Sequence, residues 1–121
     1  MKLLVCGGRD FADRGFVFAT LDRVDAKRRV FLLIHGAAPG ADALAEEWAL
    51  ARGVSYAPNP ARWAELGRRA GMVRNQEMLD LFAPDGVVAF PGGRGTADMV
   101  ARARAAGVPV WCPPYPGASS V

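Results

Sequence analysis

Three times along this chain a short apolar run ends in a glycine-bearing loop that leads directly into a segment with helical spacing. The runs are Lys2–Cys6, Val30–Ile34 and Gly86–Phe90, and the loops are Gly7–Phe11, His35–Asp42 and Pro91–Thr96. Apolar runs of this length suit strands covered on both faces, as in a parallel sheet. The helical segments between them supply the crossovers that parallel strands require. In open sheets of this kind ligands bind beyond the carboxyl ends of the strands, so the three loops should meet at one rim.

The remaining elements follow the same alternation. Phe16, Val17, Thr20, Leu21 and Val24 place a helix over about Asp13–Lys27, and Ala41, Leu44, Ala45 and Trp48 place another over Ala41–Arg52, stopped by Gly53. Val54–Ala57 reads as a third strand. Asn59-Pro60 reads as an N-cap followed by a first-turn proline. The helical pattern over Ala61–Phe82 is interrupted by Gly67 and Gly71, which predicts a break and a separate helix starting near Gly71. A helix over Thr96–Ala106 closes at Gly107, and Val108–Cys112 is a fifth strand whose Pro109 suits an edge or a strand start. The fold class is therefore α/β, a Rossmann-like doubly wound parallel sheet of about five strands with helices on both faces. Residues 1–112 are expected to form the ligand-binding domain, with 113–121 a proline-rich tail on the surface or against a partner.

Composition narrows the function. The chain has 121 residues, 51% of them hydrophobic, enough for a substantial core. No apolar run approaches the roughly 18 to 20 residues that span a bilayer. The opening Met1–Val5 ends at Cys6-Gly7-Gly8 without a cleavage signal, so it reads as a strand rather than a leader. Cys6 and Cys112 stand without a Cys/His cluster, which argues for two buried thiols in a reducing cytoplasm and for no metal site. No resident cofactor is expected. The net charge of +3 comes almost wholly from arginine, lysine occurring only at Lys2 and Lys27. Arginine suits bidentate recognition of phosphate or carboxylate. With charge this modest and no aromatic-basic stripe, nucleic-acid binding is disfavoured.

The glycine loops carry the chemistry. In Pro91-Gly92-Gly93-Arg94-Gly95-Thr96 the glycines let a ligand approach the backbone, and the first-turn amides of the following helix favour an anion. In the first loop, Gly7 and Gly8 make a tight turn, Arg9 can clamp a phosphate, and Asp10 either binds a ribose hydroxyl or caps the next helix. In the second, Gly36 and Gly40 give backbone access. His35 is either a hydrogen-bonded structural imidazole or ligand-facing, and Asp42 either caps or binds. Arg74 either reaches a phosphate or is a solvated helix-surface charge. Asn75 can hydrogen-bond a base or ribose, and it shares a helical face with Met78, Leu79 and Phe82, where a polar group needs a partner. Neither G-x-x-x-x-G-K-[ST] nor a G-x-G-x-x-G after the first strand occurs, which argues against a P-loop ATPase and a standard dinucleotide fold.

The Pro91–Thr96 hexapeptide resembles the P-G-G-x-G-T signature of the SLOG superfamily, which joins the LOG phosphoribohydrolases (often labelled lysine decarboxylase-like) to the Smf/DNA-processing-protein-A group. Arg74-Asn75-Gln76-Glu77-Met78 is similar to the R-x-x-x-M element of LOG enzymes. Gly7–Phe11, His35-Gly36 with Gly40-Ala41-Asp42, and Ala70-Gly71 to Arg74-Asn75 resemble the YspA-type stand-alone SLOG domains. The resemblance covers about Lys2 to Val110. It implies nucleotide-derived ligands and pairing into homo-dimers or higher homo-oligomers, with Trp63, the Gly67–Gly71 region and the tail as contact surfaces. One departure stands out. The LOG signature continues to a glutamate that works with the arginine in N-glycosidic cleavage, and that position here is Met99. Asp98 is one residue earlier and points about 100° away on a helix.

The expectation is a module that binds a nucleotide or nucleotide-derived ligand, with no metal and no membrane. The alternatives are a hydrolase acting on an N-glycosidic or phosphate bond, with Arg74, Asp98, Glu77 or Asp42 as candidates, and single-stranded DNA binding.

Overall fold

A computed structural model describes residues 1–117; the end of the tail, 118–121, lies outside the described residues. Five parallel strands form one sheet in the order β3-β2-β1-β4-β5: β1 (Lys2–Cys6), β2 (Leu32–His35), β3 (Ser55–Pro58), β4 (Gly86–Ala89) and β5 (Val110–Trp111). The helices are α1 (Arg14–Lys27), α2 (Ala41–Arg52), α3 (Trp63–Leu66), α4 (Ala70–Phe82) and α5 (Arg94–Ala105), with a single 3₁₀ turn at Gly67–Arg69. This is the expected α/β, Rossmann-like architecture.

Period-two alternation sends neighbouring strand residues to opposite layers. Leu3, Val5, Leu33 and Val88 pack with Val17, Leu21, Ala45 and Trp48 of α1 and α2. Leu4, Cys6, Ile34, Val87 and Ala89 pack with Met78 and Leu79 of α4 and Met99 and Ala103 of α5. The chain leaves β1 toward β2 and β3 on one side and later toward β4 and β5 on the other. The switch in strand order therefore falls between β1 and β4, where their outgoing loops lie side by side.

The 61–82 segment does break as expected: at Gly67, whose φ is +57°, with a separate helix, α4, starting at Ala70 beside Gly71. Several boundaries differ from the sequence expectations, each for a local reason. Asn59-Pro60 does not start a helix, because the Asn59 amide donates to the His35 carbonyl at 2.8 Å and prolongs the sheet; α3 begins only at Trp63. The fifth strand shrinks to two residues, since the Val108 amide caps α5 by donating to Ala103 and Pro109 has no amide to give. Helix α5 starts at Arg94, two residues before Thr96, with the Ala97 amide donating to Gly93. Cys6 is buried as expected, but Cys112 is exposed just past β5. In the tail, Tyr115 packs among Phe11 and Phe16, with centroids 5.0 and 4.7 Å away.

Candidate functional site

Beyond the carboxyl ends of β1 and β4 lies an open cleft of about 680 Å³. It is lined by the first loop (Gly7, Gly8, Arg9, Asp10, Phe11), part of the second (Gly36, Ala38, Asp42), Arg74 and Asn75 of α4, and the third loop from Pro91 to Thr96. The three loops thus meet at one rim. His35, Gly40, Glu77 and Asp98 stay outside the lining.

The glycines divide between holding the loops together and leaving room. The Gly8 amide donates to the Pro91 carbonyl at 2.8 Å. A Cβ on Gly8 would lie 2.8 Å from that oxygen, and one on Gly92 would lie 2.7 Å from the Gly8 nitrogen. Gly40, with φ of +77°, packs against the Gly8 carbonyl, which also accepts from the Ala41 amide at 3.1 Å. These glycines fuse the loops backbone to backbone. At Gly93 and Gly95, by contrast, an added Cβ meets nothing within 4 Å. They flank the first residue of α5, and no side chain caps that helix. Its first-turn amides therefore have neither an intrahelical acceptor nor a side-chain cap.

Arg74, also in the cleft lining, is held by two hydrogen bonds. Its Nη1 donates to the Gly36 carbonyl and its Nε to Asn75 Oδ1 at 3.0 Å. A side chain at residue 36 would collide with the guanidinium. Burial pulls the Arg74 pKa down, as does Arg9, while the Asp42 carboxylate opposes them. Asp42 is itself 6% exposed; its Oδ2 accepts from the amides of Gly36 at 3.1 Å and Ala38 at 3.2 Å. Burial raises its carboxyl above the ordinary value of 3.8 against the pull of those amides. Asp42 therefore shapes the second loop while balancing Arg74. Asn75 is saturated as well, its Nδ2 donating to the Gly95 carbonyl at 3.2 Å and to Asp98 at 3.0 Å. It orients Arg74 and the third loop.

The remaining candidates are tied up elsewhere. His35 is 2% exposed; its Nδ1 accepts from the Ala37 amide and its Nε2 meets Glu46 at 2.9 Å. That is the structural alternative of the two sequence readings. Asp98 is bound by Arg102 Nε at 2.8 Å as well as by Asn75, behind the glycine loop. Glu77 pairs with Arg62 and lines a separate groove with Met72 and Arg102. Met99 is fully buried against the sheet. Sequence reasoning missed Trp63, Gly71 and Met78 as lining residues. The sequence reading gave Trp63 to a contact between copies, not to the cleft; its position before a glycine-broken helix turn was the available signal.

Residues 1–65 match the YAcAr family, described as YspA, cpYpsA-related SLOG. This span holds the first two loops and Trp63. The chain is also 36% identical over 117 residues to the Gene 61 protein of Mycobacterium phage D29, covering 90% of this chain and 93% of that protein. That alignment extends the likeness well past the family match. Among the described residues no helix is long and apolar enough to cross a membrane. With its parallel sheet, its switch-point cleft and these matches, the chain belongs to the YspA, cpYpsA-related SLOG family.

Proposed function

We propose that the cleft binds a nucleotide or nucleotide-derived ligand, its phosphate seated on the amides at the start of α5 and faced by Arg74. The observation that carries this reading is the pairing of an uncapped helix start, bare at Gly93 and Gly95, with a hydrogen-bonded guanidinium lining the same cleft. Helix dipole and fixed cation act on one anion. Arg9 adds an exposed cation to the lining. The volume of about 680 Å³ falls in the range of small-molecule sites and exceeds what a phosphate alone needs.

Binding without LOG-type hydrolysis is the better-supported version. The position of the LOG glutamate holds Met99, buried in the core, and the neighbouring carboxylate Asp98 is neutralised by Arg102. Thermal-shift titration with AMP, NAD, ADP-ribose and inorganic phosphate tests the reading. Ligand stabilisation should raise the melting point with concentration. A flat response to all four would remove the proposal. Release of free base or phosphate on incubation would favour the hydrolase alternative.

A further inference from the structure

We infer that Trp63 is a stacking platform for a planar aromatic base, so that the cleft recognises a ligand carrying both a phosphate and a nucleobase. The inference deepens the reading above and rests on it. Trp63 opens the four-residue helix α3, lines the cleft and remains 51% exposed. Beneath it lies Gly71, where an added Cβ would sit 3.4 Å from the indole Cη2. Gly71 and Arg74 are three apart on α4 and so share one face of that helix. Indole and guanidinium therefore border the same opening.

The other two tryptophans are accounted for. Trp48 is fully buried with its Nε1 donating to Asp22 at 2.8 Å, and Trp111 has the Arg23 guanidinium 5.6 Å from its ring. Among the described residues no ring or cation packs on the Trp63 indole. A large exposed aromatic at a ligand cleft gains by being covered with a flat apolar partner. Nucleobases supply that partner, and stacking tolerates every base because each has a π-face. The phosphate end contributes affinity without base preference; the base end adds to it through Trp63.

The test compares AMP, GMP, CMP and UMP with ribose 5-phosphate by calorimetric titration of the wild-type chain, Trp63→Ala and Trp63→Phe. The expected result is that Trp63→Ala weakens the nucleoside monophosphates about tenfold or more, with Trp63→Phe intermediate and ribose 5-phosphate changed less than about twofold. Circular dichroism checks that both variants fold. Nucleotide affinity unchanged in Trp63→Ala, with binding retained, overturns the stacking role and leaves the phosphate reading standing. Equal losses for ribose 5-phosphate and the nucleotides overturn it too. A monomer produced from a wild-type dimer by Trp63→Ala would assign the ring to a second copy of this chain and also overturn it. No binding of any compound to the wild type overturns both readings.

Discussion

The Gly8 amide and the Pro91 carbonyl are joined by a 2.8 Å hydrogen bond that welds the β1 loop to the β4 loop at the switch in strand order. The weld has no room for a side chain, because a Cβ on Gly8 would stand 2.8 Å from the Pro91 oxygen and 3.2 Å from the Gly92 Cα. Both are backbone atoms and yield poorly. Gly8→Ala should therefore cost about 1–3 kcal/mol, the range for overpacking, and lower ligand affinity with it. Denaturant unfolding measures the first effect.

Gly95→Ala should do the reverse for stability. The position lies in the first turn of α5 with nothing within 4 Å, so alanine removes the glycine entropy cost of about 0.5–1 kcal/mol. The new methyl stands beside the amides assigned to the phosphate. A higher melting point combined with weaker phosphate binding is the expected signature. Equal or tighter phosphate binding would show that the start of α5 does not seat the anion.

Asp42 gives a pH prediction with a definite sign. Its folded pKa lies above the ordinary 3.8, mainly through burial, so between those two values the folded chain binds more protons than the unfolded one. Stability from this group is present below 3.8 and declines as pH rises through the raised folded value. Asp42→Asn keeps an oxygen for the Gly36 and Ala38 amides, both of which use Oδ2. That variant should flatten the decline, as read from urea midpoints across the acid range.

The strand–loop–helix rhythm was legible because each apolar run was followed within two residues by glycine or proline and each helix was marked by a spacing of three or four. The meeting of the loops followed from topology alone. The roles of individual polar residues did not, because they depend on which neighbour lies across space. Asp98 looked free until Arg102, four residues on, and Asn75, from another helix, were seen to take it. Glycine identity was visible, but whether Gly92 faced a ligand or the Gly8 amide was not. Trp63 escaped for the same reason: its neighbour Gly71 belongs to a helix beyond the Gly67 break.

Tyr115 should act as a strap on the first loop. Its hydroxyl donates to Asp13 Oδ2 at 2.8 Å, and Asp13 Oδ1 meanwhile caps α1 by accepting from the Phe16 amide at 3.0 Å. Its ring packs edge-on against Phe11, a cleft residue. Tyr115→Phe should lower the melting point slightly and Tyr115→Ala more, since only the latter loses the aromatic packing. The Asp13 bond raises the phenol pKa above 10.0, so its contribution is full below that value and is lost as pH climbs through the folded one. The gap between wild type and Tyr115→Phe should accordingly narrow in strongly alkaline buffer.

Met99→Glu would restore the residue that the LOG signature carries, and it is expected to fail as a gain of function. Met99 has no exposed surface and packs among Leu4, Ile34, Met78 and Ala103. The nearest cation on its own helix, Arg102, is already engaged by Asp98 and by Gln76. A carboxylate placed there would be a buried, unpaired charge costing about 3–5 kcal/mol, or would stay protonated and uncharged. Glutamine at the same position keeps the polarity without the charge and should cost less at neutral pH. Unfolding curves of the two variants separate these terms, and a base-release assay with AMP should remain at background for both. Release of adenine by Met99→Glu would mean that this face of α5 can turn toward the cleft, contrary to its packing against the sheet.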